Sequence, residues 1–415
     1  MVALVKLGLV FAAVLLLIRV KVPLGLSLIL GAMGVALLFG MPLPDAGEAF
    51  LVIVTAEDTL AFAALVTLVM SLSMILKTGG QIERITESLR RFLPRRRFLS
   101  AALPAIVGFL PMPGGALFSA PMVDAAASGE GVETGSKILA NHWFRHGWEF
   151  VWPLYPGLIL AADVLGLSVG RIGLLQSPLT LAMLVVGTAF ILRKIPADPE
   201  EVRRIAGEGS RLRSGLAFLL EMAPFLCVVV LHIALGLPLL LSLGAGIVWA
   251  LAVNLLRRTA GWKAFGKAVL WNPHVLGFVV MAFGVKLFGG MLESAGALEQ
   301  LGAFFAGSRI PVILVVVLLP AVVGLVSGIT IVYVATAFPV LLTLAPVARD
   351  PVPFLVLAFA AGFLGALVSP IHACLVLACG YFKGSLLRAI AGMLVPAGVI
   401  LACAFGWHLV LRAVL

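Results

Sequence analysis

The chain alternates long apolar runs with short polar turns, and this pattern predicts a membrane protein built from helices. A helix needs about 20 apolar residues, with roughly 17 to 25 as the working range, to cross a bilayer. Ten runs come close to that length, and we predict a crossing at each: 2–18, 22–42, 58–77, 138–165, 172–192, 215–235, 238–256, 274–292, 352–382 and 386–410. Prolines interrupt the runs 138–165 and 352–382, so these two crossings are predicted to be broken helices.

Two further apolar segments, 100–127 and 311–345, are predicted to be re-entrant hairpins. The first contains Pro111-Met112-Pro113-Gly114-Gly115, and the second contains Ser327-Gly328-Ile329-Thr330. The two prolines remove two backbone N–H donors, and the glycines allow backbone conformations that other residues avoid. A break facing lipid would leave backbone groups unpaired, so such tips lie within protein or beside a water-filled cavity. The alternative for the first segment is one spanning helix kinked by proline.

Landmarks of the first half return in the second half at a nearly constant spacing. Leu103-Pro104-Ala105-Ile106-Val107-Gly108 matches Leu319-Pro320-Ala321-Val322-Val323-Gly324 at a shift of 216 residues, and Pro153 matches Pro370 at a shift of 217. Paired broken segments in two halves point to the binding site of a transporter. We therefore predict a first repeat over 1–195 and a second over 215–415. Each has five crossings, an odd number, so the second is inverted.

Composition and charge agree with this membrane topology. The 415 residues are 62% hydrophobic and only 12% charged, against about 25% charged in a soluble domain. Twenty-two of the 29 Lys and Arg fall on one side of the predicted topology, including the linker 196–214. Positive loops face the cytoplasm, so we predict a bacterial or archaeal inner-membrane protein with both termini outside. The net charge of +10 then needs no nucleic-acid partner, and the four cysteines have no disulfide or metal spacing.

Ionisable side chains are concentrated in the first broken crossing. His142, Arg145, His146 and Glu149 would share one face of a helix, and Arg145 and Glu149 have the i, i+4 spacing of an ion pair. An ionisable residue inside a membrane segment is a functional hypothesis by default. The alternative is a purely structural ion pair, with the histidines satisfied by neighbouring groups.

Polar groups also occur at the breaks of the second half. In Ser369-Pro370-Ile371-His372, serine is a good N-cap and proline suits the first helical position. The hydroxyls of Ser327 and Thr330 could hold an anion, although hydroxyls also join membrane helices without any ligand. Lys286 lies inside a predicted crossing, where a charged partner is expected. Asp124 and Glu221 are alternative proton or cation sites.

Half-helices that restart at the four breaks would give the site a preference for anions. We place these restarts after Gly115, near Thr330, and at Pro153 and Pro370. Each presents unpaired N–H groups and the positive end of a helix dipole. The restart motifs themselves contain no aspartate or glutamate, and Arg145 precedes the first break by one to two helical turns. We predict a small organic anion held between these ends.

The motifs PMPGGALFSAP, NHWFRH with the following WE, SGIT and SPIHACLVL together resemble the integral-membrane family called domain of unknown function 401. That family is similar to the ion transporter superfamily of gluconate, citrate, dicarboxylate and lactate permeases. The resemblance covers essentially the whole chain and implies scaffold and transport domains, elevator movement and a homodimer joined through the scaffold. It places the substrate site at 113–115, 152–156, 327–330 and 369–372. The Ser-Asn-Thr hairpin motifs of dicarboxylate carriers are replaced by Met-Pro-Gly-Gly and Ser-Gly-Ile-Thr.

These observations favour a secondary active transporter of a small organic anion, coupled to H+ or Na+, with no cofactor and no bound metal. The alternative is a cation/proton antiporter of the same architecture, and a membrane-embedded enzyme is a third hypothesis for which no activated nucleophile is visible. The predicted substrate-binding residues are Pro113, Gly114, Gly115, Ser119, Asn141, Arg145, Trp152, Tyr155, Ser327, Gly328, Thr330, Ser369 and His372. The predicted ion-coupling residues are Glu149, His142, His146 and Asp124.

Overall fold

The computed structural model describes residues 2–92, 96–110, 115–127, 131–196 and 211–415. Within these ranges every regular element is a helix, and no strand occurs. The predicted all-α class is therefore confirmed. The described part of the first half contains ten α-helices and a 3₁₀ turn: Val2–Arg19, Leu24–Phe39, Leu43–Thr55, Glu57–Thr78, Gln81–Phe92, Arg96–Gly108, Gly115–Ala126, Thr134–His146, Pro156–Val164, Val169–Phe190 and Leu192–Lys194.

The described part of the second half is also helical throughout. Its first helix, Arg211–Val229, continues as a π-helical segment over Val230–Ala234. The remaining helices are Leu239–Leu256, Trp262–Leu270, Pro273–Ser294, Ala297–Ala306, Val312–Ser327, Thr330–Leu342, Ala345–Arg349, Pro351–Leu367, Ala373–Phe382 and Leu386–Val414. Local sequence explains several starts: Asn272 accepts a hydrogen bond from the His274 amide, and Pro273 occupies the first turn.

Seven helical stretches in the described residues are long and apolar enough to cross a membrane. They correspond to seven of the ten predicted crossings and support membrane character. The other three predictions fall on shorter helices for identifiable reasons. Leu24–Phe39 has 16 residues because Gly40 ends it in the left-handed conformation (φ 79°). The runs 138–165 and 352–382 are each divided into two helices by the predicted interruptions.

Leu43–Thr55 lies between the crossings predicted at 22–42 and 58–77. It is a helix with Pro44 in its first turn and no buried residue. At 13 residues it is shorter than the roughly 17 residues that a helix needs to cross a bilayer. The helix Arg211–Val229 begins inside the predicted linker 196–214. Residues 197–210 of that linker lie outside the described ranges.

Helix boundaries in the two halves correspond at the spacing seen in the sequence. Glu57–Thr78 and Pro273–Ser294 differ by 216 at both ends, since 57 and 273, and 78 and 294, are each 216 apart. Arg96 and Val312, which begin the first helices of the two hairpin segments, are also 216 apart. Even the unexpected helix Leu43–Thr55 has a counterpart at Trp262–Leu270.

The first helix of the second hairpin, Val312–Ser327, packs against the broken crossing at Pro351–Leu367 through glycine. A β-carbon at Gly365 would lie 2.1 Å from the carbonyl oxygen of Ala321, and one at Gly324 would lie 2.2 Å from the carbonyl oxygen of Gly362. Small residues allow such close backbone approach between membrane helices. The hairpin helix can therefore pack this closely only because Gly324 and Gly365 have no side chain.

Lys286 joins three helices through two carboxylates. Its Nζ atom lies 2.6 Å from Asp58 of Glu57–Thr78 and 2.6 Å from Asp163 of Pro156–Val164. The lysine side chain is 12% exposed, whereas those of Asp58 and Asp163 are 62% and 35% exposed. The predicted charged partner of Lys286 is thus found, in a second cavity of about 480 Å³ away from the site described below.

We expect Lys286→Met to lower the free energy of unfolding by about 1 to 3 kcal/mol. Loss of one partner of a fully buried pair costs roughly 3 to 5 kcal/mol, and solvent at Asp58 reduces that figure. Thermal unfolding of the purified variant measures the change. Lys267→Met, at an exposed lysine, is the matched control, and adding Asp163→Asn to Lys286→Met should restore part of the loss. Equal stability of both single variants would contradict the structural role of Lys286.

Candidate binding cavity

A cavity of about 420 Å³ lies where broken segments from the two halves meet. Ala373–Phe382 of the second half packs against Gly115–Ala126 and Thr134–His146 of the first, and Thr330–Leu342 packs against Pro156–Val164. The polar or charged residues that line the cavity are Arg145, His146, Glu149, Tyr155, His274, Thr330, His372 and Cys374. Apolar wall is supplied by Leu24, Leu110, Phe278, Met281, Ile329 and Ile331, among others.

The turn between the halves of the first broken crossing is fixed by two aromatic donors. The indole Nε1–H of Trp152 donates to the carbonyl of Phe109 at 3.0 Å, and the Tyr155 hydroxyl donates to the carbonyl of Gly108 at 2.5 Å. These carbonyls end the first helix of the first hairpin, where helix geometry leaves acceptors unpaired. Trp152 and Tyr155 were predicted to bind substrate. In the structure both side chains form hydrogen bonds that connect the break to the first hairpin. Of the two, only Tyr155 lines the cavity.

Both broken crossings resume three residues later than predicted. The second helices begin at Pro156 and Ala373, not at Pro153 and Pro370. Ser369 is therefore not an N-cap; its buried hydroxyl accepts from the Ile371 amide at 3.3 Å inside the turn. The restarts at Gly115 and Thr330 are where the sequence placed them. At Pro156, Thr330 and Ala373, no side chain caps the first backbone N–H groups.

Arg145 is buried beside the cavity with little to neutralise it. The residue is 3% exposed, and its Nε and Nη1 atoms have no hydrogen-bond partner among the described residues. Its guanidinium rests on Gly115, where a β-carbon would lie 2.1 Å from Nη2. Glycine at the start of the returning hairpin helix therefore leaves the space that the guanidinium fills. A buried charged group without partners is costly, which favours an anionic ligand in the cavity.

The predicted ion pair between Arg145 and Glu149 is not formed. The helix ends at His146, so residues 145 and 149 do not lie one turn apart on a common face. Glu149 instead accepts a hydrogen bond from His146 Nδ1 at 2.6 Å and another from the hydroxyl of Thr330. The restart motifs themselves contain no aspartate or glutamate, but the fold brings the Glu149 carboxylate to the restart at Thr330.

Three histidines meet at one side of the cavity. The ring centroids of His142, His146 and His372 lie 4.7 to 4.9 Å from one another, and all three residues are buried. The sequence analysis predicted His142 and His146 as ion-coupling residues and His372 as a substrate ligand. Positions 146 and 372 are 226 residues apart, so no local pattern indicates the contact between them.

Other predicted ligands bond to nearby backbone. Asn141 Nδ2 donates to the Ala116 carbonyl at 3.2 Å, and Ser119 donates to the Gly115 carbonyl at 3.2 Å. Ser327 is 2% exposed and makes only long contacts of 3.4 to 3.5 Å within its own turn. Gly328 has a φ of 66°, which glycine adopts readily, and faces the backbone of His372. Of these four residues only Gly328 lines the cavity.

Some predicted site residues are not brought to the cavity. Asp124 pairs with Lys137 at 2.7 Å and is 46% exposed, so it does not join the histidines. Glu221 pairs with Arg84 at 3.2 Å and with Arg257, and none of these three residues lines the cavity. Pro113 and Gly114 lie outside the described residues.

The sequence matches the family described as "Protein of unknown function (DUF401)" over residues 3–412. The chain belongs to the DUF401 family. No curated protein matches it. The family description assigns no activity, so the cavity itself carries the functional argument for this DUF401 protein.

Sequence reasoning missed two parts of the DUF401 cavity. Cys374 follows His372 by two residues at the second restart and could have been included with it. The wall formed by Pro273, His274, Phe278 and Met281 belongs to a helix that we expected only to span the membrane. No local motif distinguishes those wall residues from ordinary lipid-facing or packing positions.

Proposed function

We propose that this DUF401 protein is a secondary active transporter of a small organic anion, and not an enzyme. The observation that carries the proposal is Arg145, buried at the cavity with two nitrogen atoms unpartnered among the described residues. Planar guanidinium groups bind carboxylates through two parallel hydrogen bonds. The uncapped helix starts at Pro156, Thr330 and Ala373 add positive potential at the same cavity.

The cavity size limits the substrate to a small molecule. Ligand pockets of about 300 to 1,000 Å³ hold drug-sized compounds, and 420 Å³ lies near the lower end. Apolar residues such as Phe278 and Met281 would contact a carbon skeleton, while Arg145 would bind a carboxylate. Glu149 lies in the same cavity and would repel a second carboxylate placed beside it, which favours a monocarboxylate over a citrate-like ligand.

The architecture that we propose is two inverted repeats in the inner membrane, with both termini outside. The matching helix boundaries at a shift of 216 support the repeat, and the distribution of Lys and Arg supports the orientation. We further propose an elevator movement, a homodimer joined through scaffold helices, and coupling of transport to H+ or Na+.

A ligand screen tests the proposed function. Purified protein is heated with mono-, di- and tricarboxylates and sugar acids at constant ionic strength, once with NaCl and once with KCl. A ligand at about 100 times its Kd stabilises the folded state by about 2.7 kcal/mol, so we expect an organic anion to raise the unfolding temperature by a few degrees. Stabilisation by organic cations alone would contradict the proposal.

The hydrogen-bonded chain of Thr330, Glu149 and His146 favours a cation/proton antiporter as the second candidate. Glutamate and histidine side chains in series inside a membrane protein, here Glu149 and His146, are typical of proton pathways. Proteoliposomes containing a pH-sensitive dye distinguish the two functions. Cation-dependent pH changes in the absence of any organic substrate would support the antiporter and contradict anion transport as the primary activity.

A further inference from the structure

The three histidines that meet beside the cavity come from both halves of the chain. His142 and His146 lie one turn apart on Thr134–His146, and His372 precedes the helix Ala373–Phe382. They are 0%, 7% and 9% exposed. One ring nitrogen from each lies within 4.8 Å of the other two. Tertiary packing has therefore gathered three potential metal ligands in a nearly dry site.

Each imidazole is oriented by an oxygen acceptor on its outer side. His142 Nε2 lies 2.9 Å from the Leu367 carbonyl, and His372 Nδ1 lies 3.0 Å from the Ala366 carbonyl. His146 Nδ1 lies 2.6 Å from the Glu149 carboxylate. A carbonyl only accepts hydrogen bonds, so the proton of a neutral ring is on the outer nitrogen. Histidines that bind metals are held in the same way, by a carbonyl or carboxylate behind the ring.

The inner nitrogens consequently carry lone pairs, and those of His146 and His372 face each other. His146 Nε2 and His372 Nε2 are 3.2 Å apart, and His142 Nδ1 has no partner in the described part of the chain. Two lone pairs at this distance repel unless a cation lies between them. Two imidazole nitrogens on a tetrahedral zinc ion, each bound at about 2.0 to 2.1 Å, lie roughly 3.3 Å apart. The spacing between His146 and His372 is thus close to that of two ligands on one metal ion, and the ligand nitrogen of His142 lies within 4.8 Å of both.

We propose that His142, His146 and His372 bind a transition-metal ion of the Zn²⁺ class, with the Cys374 sulfur as the fourth ligand. Cys374 is a free cysteine beside His146 and His372, and it lines the cavity. Three nitrogens and one sulfur favour Zn²⁺, Co²⁺ or Ni²⁺ over Na⁺, Mg²⁺ or Ca²⁺, which prefer oxygen. Binding releases the thiol proton, because the thiolate is the form that coordinates metal. This inference does not depend on the proposed transport of an anion.

Metal binding to the full-length, tag-free protein tests the inference. Protein stripped with a chelator is titrated with Co²⁺ at about pH 8, where an ordinary imidazole is neutral, and bound Zn²⁺ is counted separately after equilibrium dialysis. We expect one ion per chain and the intense visible absorption of tetrahedral Co²⁺. Cys374→Ser should remove the near-ultraviolet band of a thiolate ligand. Mg²⁺ and Ca²⁺ in excess should not displace the Co²⁺.

Variants locate the ion. Glu149→Gln replaces the carboxylate behind His146 with a neutral amide and should weaken binding by roughly 10- to 100-fold, and His142→Ala or His372→Ala should weaken it further. His408→Ala is the matched control, because His408 is also buried and hydrogen-bonded to a carbonyl, that of Pro353, outside the cluster. Thermal unfolding without metal identifies any variant that fails to fold, and the Co²⁺ spectrum of the unaltered protein stands independently of them.

Two results would overturn the metal site. Equal Co²⁺ affinity in the unaltered protein and in the triple alanine variant of the histidines would place the ion elsewhere. If the unaltered protein binds no stoichiometric Co²⁺ at pH 8, the close contact of His146 and His372 is explained by a proton shared between their Nε2 atoms rather than by a metal ion. An unchanged spectrum in Cys374→Ser would exclude the sulfur ligand. None of the titrations contains an organic anion, so a failed anion screen and a failed metal titration are distinguishable.

Discussion

Replacing Arg145 with alanine is expected to abolish most anion binding while leaving the empty protein at least as stable as the unaltered one. Truncating one partner of a buried, hydrogen-bonded charge pair costs about 2 to 5 kcal/mol, which corresponds to roughly 30- to 4,000-fold in affinity. Without ligand, however, Nε and Nη1 of Arg145 lack partners among the described residues, so alanine removes an uncompensated buried charge. Loss of affinity without loss of stability distinguishes a ligand group from a structural one.

Calorimetry with whichever anion stabilises the protein in the screen measures the affinity. Arg145→Lys should be intermediate, because lysine keeps the charge and loses the planar fork. Arg388→Ala, at an exposed arginine, should bind normally. Gly115→Ala should resemble Arg145→Lys, since its β-carbon would displace the guanidinium that rests there. Unchanged affinity in Arg145→Ala would remove this residue from the site.

The largest stability effect is expected at Gly365. Alanine there would place a β-carbon 2.1 Å from the Ala321 carbonyl oxygen, so two helices must separate. Overpacking typically costs about 1 to 3 kcal/mol, and backbone neighbours cannot rotate away as side chains do, which places the effect at or above the upper end. The separation would also loosen the contact of Gly324 with Gly362.

Gly398→Ala provides the control for this packing. Gly398 lies in the helix Leu386–Val414, and a β-carbon there would meet no atom within 4 Å. Alanine is intrinsically the better helix former by up to about 1 kcal/mol, so the control should be neutral or stabilised. Thermal unfolding and the yield of folded protein in membranes report both variants. Similar values for the two would show that the close helix contact is unimportant.

The sequence predicted the helices and the positions where they break because those properties are local. Apolar run length gave seven long helices, and Pro and Gly marked the interruptions near 147–155 and 368–372. The predicted pairing of Arg145 with Glu149 was wrong for a local reason too. The i, i+4 rule requires a continuous helix over both residues, and this helix ends at His146. The exact restarts, at Pro156 and Ala373, depend on how each turn closes.

The composition of the cavity could be predicted only in part. Arg145, Glu149, Tyr155, Thr330 and His372 were selected from the sequence because charged, hydroxyl and imidazole groups are unusual at breaks in apolar segments. Their partners could not be selected, because contacts such as Glu149 with Thr330 span 181 residues. Such a pairing arises from the packing of whole helices, which no short motif encodes.

The hydrogen bonds from Trp152 and Tyr155 also restrict which ions the first hairpin can coordinate. In transporters with discontinuous helices, sodium is commonly bound by carbonyl oxygens at half-helix C-termini. Here the carbonyls of Gly108 and Phe109 already accept a phenol and an indole proton. Each carbonyl oxygen has two lone pairs, and here one of them accepts an aromatic donor, so a sodium ion would have only the remaining lone pair of each oxygen. That helix end therefore offers sodium fewer lone pairs than a helix end whose carbonyls have no donor.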